Sequence, residues 1–598
     1  MRKIKVLPVF PKFPLSFWGY QIAIEYMGKS AIMPPTGLAT VLAMLPESFE
    51  PGRIIDLNVE ELRDEQIRNA DIVFTSTMII QEDSHNEVID RAHFYKKPVV
   101  AGGPFPTSYP ERNSRADYTL AGEGEVLLKP FLEDLILGIA KKRYVEQDLI
   151  NEKRNTFPLT NTGRVDIKST PIPRWDLLDL SKYYSPAIQF SRGCPWNCDF
   201  CDITKLYGRE PRTKANQQMI EEFKALRKTG YKGPVFVVDD NFIGNSVNAR
   251  RLLPGVEEWQ IQEGFPFSLY TEASMDLAWP KNEDILKGMV SAGFDKVFTG
   301  IESIDDGVLK RMDKGQNLKM PIRDAVSKIQ KAGLEVTAGF IVGSDGESPD
   351  VFGKLYDFIQ EIGIVVPMPG LLTVLKGTDL HKRLEKEGRL RDESSGNNTH
   401  TLHFNYIPQQ DEKFLIEGYA DLIRKLFEDK NYYDRCRVLQ EKVGEHHGNN
   451  YAGWDGVKAF GKSLRRQLFA RGGLEYFKYL SETAMKNTKE FPTAVARAIT
   501  LDHFKTITRA TLEDHAYPIH VETLYEHFKQ RVEELSEKYG GDISLKVESI
   551  RKNAQRIVQR AEKRYDKLHA DFRREASNAL SSLRERINRD LSSYISTT

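Results

Sequence analysis

The sequence predicts an α/β protein: an N-terminal doubly wound parallel sheet, a central partial (βα)6 barrel and a C-terminal helical region. Three observations predict it. Short, fully apolar runs alternate with helical patterns through the first 140 residues. Six further strand–helix units follow between 187 and about 375. Beyond about 400 the pattern is helical, and it ends in a long amphipathic stripe. Fully apolar strands separated by helices are buried on both faces, as in parallel sheets.

In the first region the expected strands are Ile4–Phe10, Arg53–Leu57, Asp71–Thr77, Pro98–Gly103 and Tyr118–Ala121, with helices at Gly37–Leu45, Ser84–Tyr95 and Glu125–Ile139. This assigns residues 1–145 to one domain. The stretch 146–180 is polar, holds Pro158, Pro171 and Pro173, and reads as a linker. The barrel, placed at 181–400, has expected strands Ala187–Gly193, Pro234–Asn241, Phe267–Ala273, Lys296–Glu302, Glu335–Gly343 and Pro367–Val374. Helices between and after them end near Gly230, Gly264, Gly293, Gly333, Gly363 and Gly388, where glycine closes a helix in the left-handed conformation. Strand starts lie 47, 33, 29, 39 and 32 residues apart, the length of right-handed βα units. The functional edge of such a barrel is the C-terminal end of its strands.

Residues 401–540 read as a helical domain and 541–598 as one long helix. Its apolar positions, from Ile543 and Val547 to Leu583 and Ile587, recur every 3.67 residues on average, twelve steps over 44 residues. That period suits a straight helix rather than a left-handed coiled coil. The stripe is expected to pack within the chain, and the segment's 13 basic and 8 acidic residues to form a solvated face.

Composition narrows the function. The 598 residues suffice for about three to five domains. Lys plus Arg and Asp plus Glu are each 85, so net charge is zero, against a general nucleic-acid binder. No apolar run reaches the length of a transmembrane helix, and MRKIKVLPVFPKFP reads as a first strand rather than a signal peptide. A cytoplasmic protein is expected. Of only four cysteines, three fall within eight residues, which excludes a disulfide framework and raises a metal site. They stand as Cys194-x3-Cys198-x2-Cys201, directly after the first barrel strand. Three thiolates on one loop suit three irons of a 4Fe–4S cluster, leaving the fourth iron open for a small chelating ligand. Zinc sites more often show paired Cys-x2-Cys or added histidines. Cys436, some 235 residues on, reads as a core thiol, with a fourth-ligand role left open.

The three cysteines, with Phe200 before the last, resemble the signature of the radical S-adenosylmethionine (SAM) enzymes. The resemblance implies that Cys194, Cys198 and Cys201 bind the cluster, that SAM chelates the open iron, and that an electron from a donor such as flavodoxin or ferredoxin cleaves SAM to methionine and a 5′-deoxyadenosyl radical. It also implies SAM contacts at successive strand ends: Asp239 and Asp240 on the second, Glu272 on the third, Glu302 on the fourth, and Gly339 and Ile341 along the adenine. The N-terminal domain resembles the cobalamin-binding domain of a subgroup of these enzymes. Ser76 and Thr77, Gly102 and Gly103, and Gly122 and Glu123 are the expected cobalamin contacts. The cobalt-ligating histidine of many cobalamin proteins is absent between Phe10 and Gly37, as in some members of that subgroup. Aromatic Phe13–Tyr20 suits a cofactor roof, an apolar substrate channel or simple packing.

Residues 1 to about 430 resemble the branch that includes the hopanoid 2-methylase, through Gln189-Phe-Ser-Arg-Gly-Cys194, Leu206-Tyr-Gly-Arg209-x-Pro-Arg212-Thr-Lys214 and Asp239-Asp-Asn-Phe-Ile-Gly-Asn245. The resemblance implies a cobalamin-dependent methyltransferase acting on an unactivated carbon of a small molecule or lipid. One SAM would methylate cobalamin and a second would generate the radical. Two alternatives stand beside it: a radical SAM enzyme doing cyclisation, oxidation or C–C coupling, and a non-catalytic iron–sulfur scaffold or sensor.

Overall fold

A computed structural model of the chain describes residues 2–394, 396, 402–445, 454–538 and 543–597. The chain folds into two compact units, the first running to His503 and the second beginning at Phe504, apart from the short segment 400–402.

The first unit holds two parallel sheets. In the N-terminal sheet, β1 (Ile4–Phe10), β2 (Phe49–Pro51), β3 (Ile55–Asp56), β4 (Ile72–Ser76), β5 (Val99–Gly102), β6 (Tyr118–Ala121) and β7 (Arg143–Val145) are ordered β2-β1-β4-β5-β6-β7, with β3 beside the end of β1. Every pairing is parallel. Apolar residues are buried on both faces: Val6, Phe74 and Val100 on one, Val9, Val73 and Val99 on the other. The expected strands recur within a few residues at each end. β2 and β7 were not foreseen, because three residues are too few for a periodic signal.

The stretch expected as a polar linker is instead packed. β7 continues into helix Glu146–Asn151, and Leu149, Val165, Ile167 and Leu177 are buried in the core of the N-terminal sheet. Widely spaced single apolar anchors hold it down, which bulk composition does not register.

The barrel sheet is made of β8 (Ala187–Ile188), β11 (Gly233–Val237), β12 (Phe267–Glu272), β13 (Phe294–Glu302), β14 (Glu335–Val342) and β15 (Pro367–Leu371), paired in chain order and all parallel. All six helix-closing glycines have positive φ, from 68° at Gly388 to 115° at Gly333. The first expected strand is cut short. Ser191–Arg192 (β9) leaves the sheet and pairs antiparallel with Arg212–Thr213 (β10). The cause is Asp239: its Oδ1 accepts from the Phe190 and Ser191 amides at 2.8 and 2.9 Å, diverting them from the ladder. On β13, Val297, Thr299 and Ile301 are fully buried, while Lys296, Phe298 and Gly300 between them are half-buried. The same alternation puts Phe236, Tyr270, Gly339 and Ile341 at half-buried positions. These line the barrel interior.

Helices Glu412–Leu426, Asp429–Lys442, Trp454–Gln467 and Gly473–Lys486 complete the first unit together with the start of Phe491–Lys538. At the N-terminal end of the barrel, Arg497 of that last helix pairs with Glu335 of β14 at 2.9 Å, both buried. Cys436 is buried among Tyr432, Tyr433 and Tyr479. Burial pushes its thiol up to about 12, as for a core cysteine.

The second unit corrects the expectation of one long helix over 541–598. The described part of that segment is two helices, Ile543–Tyr565 and Arg574–Thr597, joined by a turn at Ala570–Phe572. The break contains no glycine or proline. Arg573 closes it by donating to the carbonyls of Asp566 and Leu568, both at 2.9 Å, a cap that apolar periodicity cannot show. The stripe does pack within the chain: Ile550, Ile557, Ala561, Leu580, Leu583 and Ile587 share a core with Val521, Leu524 and Phe528. Ile557→Ala should cost about 2–5 kcal/mol by cavity formation. Amide exchange in 543–565 is expected to accelerate while barrel strands keep their protection.

Candidate functional site

The three thiols sit on the loop that leaves β9, and all are free and half-buried. The loop is held from below. Besides the two Asp239–backbone bonds, Asp239 Oδ2 accepts from the Ser191 hydroxyl at 2.8 Å, and Asp240 Oδ2 accepts from the Gly193 amide at 2.7 Å. Gly193 has φ +94°, and a Cβ there would stand 2.9 Å from the Gly208 carbonyl. Only glycine fits that turn without strain. Two amides face the sulfurs: Asn241 Nδ2 lies 3.8 Å from Cys194 Sγ, and Gln316 Nε2 lies 3.4 Å from Cys198 Sγ. Among the described residues, no three of His, Cys, Asp and Glu converge on a single-ion site. Burial raises the Cys194 thiol and pushes Cys201 up to about 12.

The strand ends meet this loop. β13 carries a bulge between Gly300 and Glu302, and Glu302 takes φ +63°, the left-handed region. A bulge re-aims the side chain that follows it. Here it turns Glu302 onto the Lys314 ammonium at 2.7 Å. Burial opposes that ammonium, yet Glu302 and the Cys198 and Cys201 sulfurs hold it above its ordinary range. Lys314 also lies 5.6 Å from the Phe200 ring centroid. A Cβ at Gly300 would strike both members of the pair. Glu272 is different: no hydrogen bond to its carboxyl is present among the described residues. Burial, then repulsion from Asp240 and Asp239, pushes it up to about 8. Burial likewise lifts Asp239 to about 7 and Asp240 to about 6. Gly339 stands opposite Gly300, with Ile341 two residues on along β14.

Phe200 and Glu302 thus meet at Lys314 beside the cysteine loop with Gly339 next to Glu302, Glu272 lies by Asp239 and Asp240, and Ile341 stands two residues beyond Gly339 on β14. The structure gives Asp239 and Asp240 a positioning role toward that loop's backbone. Lys314, Gln316, Asn317 and Asn241 were not singled out from sequence as individual site residues. Asn317 Nδ2 donates to the Gly300 and Ile301 carbonyls at 3.1 and 2.9 Å. The side-chain carbonyls of Gln316 and Asn317 and the Trp196 indole N–H are buried without a partner, as expected where a ligand completes the site. The polar run Asp313–Asn317 between helices was the available signal.

At the C-terminal edge of the N-terminal sheet, Ser76, Thr77, Gly102 and Gly103 adjoin. Thr77 N donates to Gly102 O at 3.0 Å, and Gly103, at φ +100°, would bring a Cβ within 2.9 Å of the Thr77 backbone. The Thr77 hydroxyl is buried without a partner. A flat glycine edge with one unfilled hydroxyl fits a large planar ligand that bears polar groups. Gly122 stands next at φ +134°. Glu123 is engaged elsewhere: it pairs with Arg192 at 2.7 Å and with Arg212 at 2.8 Å, while Arg192 also takes Glu125 at 2.8 Å. The network is almost wholly buried. It ties the end of β6 to the β9–β10 hairpin, so Glu123 acts as an anchor rather than the ligand contact expected of it. Arg212 is thereby structural, as is Lys214, buried against Glu222; Arg209 alone is exposed. Of the aromatic stretch, Phe17 packs on Phe427 at 5.8 Å, Tyr20 stacks on His503 at 5.4 Å, and Trp18 reaches Phe298 of the barrel at 5.3 Å.

The radical SAM superfamily model matches residues 188–359, and a domain of unknown function (DUF4070) matches 378–516. An uncharacterized methyltransferase of Synechocystis sp. is 38% identical over 443 residues, 74% of this chain and 79% of its own length. The hopanoid C-2 methylase of Rhodopseudomonas palustris is 38% identical over 387 residues, 64% of this chain and 71% of its own. Among solved structures, the cobalamin-dependent S-adenosylmethionine radical enzyme OxsB with aqua-cobalamin bound has the same fold. Its TM-score is 0.53 at 16% identity, over 86% of this chain and 80% of that one.

Removing one member of the buried network should uncover what it holds. Glu123→Gln leaves the buried Arg212 without its carboxylate while Arg192 keeps Glu125, and breaking a buried pair costs about 3–5 kcal/mol. The expected outcome in urea denaturation is a lower midpoint, with Glu123→Asp losing less.

Proposed function

Because this chain belongs to the radical SAM superfamily, in the branch that holds the hopanoid C-2 methylase, we propose that it methylates an unactivated carbon with SAM, a 4Fe–4S cluster and cobalamin as cofactors. The observation that carries the reading is the loop of three free thiols held where the C-terminal ends of two parallel sheets meet. When bound, the cluster and SAM supply hydrogen abstraction and cobalamin supplies methyl donation.

The chain's own residues position and shield these groups. Cys194, Cys198 and Cys201 would hold the cluster, with Asn241 and Gln316 donating toward its sulfurs. Glu272, a carboxyl with no partner among the described residues, would accept from the polar groups of SAM. The Lys314–Glu302 pair would fix the adjacent wall, and Gly300 and Gly339 would leave room for a flat ring. Ser76, Thr77, Gly102 and Gly103 would border cobalamin, with Gly122 beside them. Trp18, Phe236, Tyr270, Phe298 and Ile341 give the barrel an apolar, largely aromatic lining. Such a lining suits a polycyclic lipid, the substrate class in the name of one relative. The electron would come from a low-potential carrier such as flavodoxin or ferredoxin, and a cytoplasmic location suits an oxygen-sensitive cluster. Among the described residues no helix is long and apolar enough to cross a membrane.

The test is anaerobic reconstitution with cobalamin, then incubation with SAM, dithionite and a hopanoid-type lipid. Methyl transfer forms both S-adenosylhomocysteine and 5′-deoxyadenosine. The deoxyadenosine product alone, with cobalamin unbound, would move the assignment to a radical SAM enzyme without methyl transfer. Neither product, with an intact cluster, would favour a scaffold. Cys198→Ala should lose the cluster absorbance and both products while keeping its far-ultraviolet circular dichroism. A second expectation follows from Glu272, which is protonated below about pH 8 and becomes an acceptor as pH rises. SAM binding to the oxidised cluster protein should therefore tighten between about pH 6 and 8 and release a proton. Calorimetric titration in buffers of different ionisation enthalpy reads this, and Glu272→Gln should flatten the slope.

A further inference from the structure

A second feature of the cysteine loop points outward. Trp196, between Cys194 and Cys198, meets Trp279 edge to face with ring centroids 6.2 Å apart. Trp279 follows the end of β12 and is 8% exposed. Both indole N–H groups are buried without a partner, so the pair is held by ring contact rather than by hydrogen bonds. Over Trp279 stand two ammonium groups, Lys319 at 4.3 Å and Lys281 at 5.1 Å from its centroid. Both lysines are exposed, and neither forms an ion pair among the described residues. Two of the acidic groups near them are paired with other cations. Asp284 is paired with Arg250, and Glu283 with Lys287 and Lys328. Asp276, buried, attracts both lysines and accepts from the Ser274 hydroxyl. That contact closes a second route inward, because Asn241 Nδ2 donates to Ser274 Oγ at 2.9 Å and also faces Cys194 Sγ. Two exposed ammonium groups facing one buried carboxyl thus leave a net positive spot on the outer ring of an aromatic pair whose inner ring lies inside the cysteine motif.

We infer that Trp196, Trp279, Lys281 and Lys319 form the port at which an acidic one-electron carrier protein of the flavodoxin class docks and reduces the cluster. The inference rests on the proposed function, since only a cluster that must be reduced needs a port. Charge complementarity selects the partner: exposed cations steer an acidic surface and raise its encounter rate, in a salt-dependent way. The lysines hold their stems over the indole, which pre-orders the positive charges at low cost. One electron leaves the donor's reduced flavin, which is oxidised by one electron, and enters the cluster, which is reduced by one. No bond is made or broken at the port.

The test compares two reductants on the reconstituted full-length protein, with 5′-deoxyadenosine formation as readout. With dithionite, K281E/K319E should match the parent. With flavodoxin and its NADPH-dependent reductase at low ionic strength, the double variant should need about tenfold more flavodoxin for half its maximal rate. K281R/K319R should recover the parent value, and added salt should bring parent and variant together. An equal flavodoxin requirement in parent and K281E/K319E would overturn the inference. So would a dithionite rate that falls in parallel, because the lysines would then serve the reaction site itself. Direct titration of flavodoxin onto the parent and onto K281E/K319E reads docking without turnover. A failure of the proposed function, seen as no SAM cleavage with dithionite, is thereby kept apart from a failure of the port, seen as unchanged binding.

Discussion

Four side chains join the two sheets of the first unit: Arg192 and Arg212 of the hairpin behind the cysteine loop, and Glu123 and Glu125 at the end of β6. All lie in a nearly dry interface, where a charge without its partner is costly. The guanidinium groups are further committed. Arg212 donates to the Val165 carbonyl at 2.8 Å and to the Tyr207 carbonyl at 3.1 Å, and Arg192 donates to Gln189 at 2.7 Å. Charge, direction and backbone contacts together admit one arrangement of sheet against hairpin. The cysteine loop emerges from that hairpin, so its position relative to the glycine edge of the N-terminal sheet depends on this network.

The same economy holds inside the barrel. Asp239 and Asp240 direct their bonds at the backbone of the loop rather than into the cavity, and they thereby fix where the sulfurs stand. Glu302 is matched by Lys314. Among the described residues, Glu272 alone of the strand-end carboxyls has no matching cation or donor, and it sits beside the two buried aspartates. An unmatched acid in a half-buried position is where a ligand has something to gain, since its polar groups replace solvent that the site has excluded. The polar walls close around an aromatic interior, which separates the place for charge from the place for an apolar partner.

The helical segments close the opposite end. Arg497 brings the long helix onto Glu335 at the start of β14, so the barrel is capped away from the cysteine loop and access is left to the strand ends. Tyr20 and His503 stack at the entry of the N-terminal chain. The second unit keeps its own core, and its hairpin turn satisfies free carbonyls with an arginine side chain instead of a glycine.

The strand–helix alternation, the parallel sense of both sheets, the six helix-closing glycines and the cluster of three cysteines were legible in the sequence. These follow from local rules: apolar period, backbone freedom and the spacing of like donors. What the tertiary structure decided is which polar residue faces which. Glu123 looked like a ligand contact because it sits at a strand end between glycines. It is an anchor because Arg192 and Arg212, 69 and 89 residues away, are folded onto it. Lys314 and Gln316 joined the site only because the turn after the helix that follows β13 brings them to the sulfurs, with Asn317 bonded to the Gly300 and Ile301 carbonyls. Periodicity records how each residue meets solvent, whereas pairing between distant charges is set by packing geometry, which no local pattern encodes.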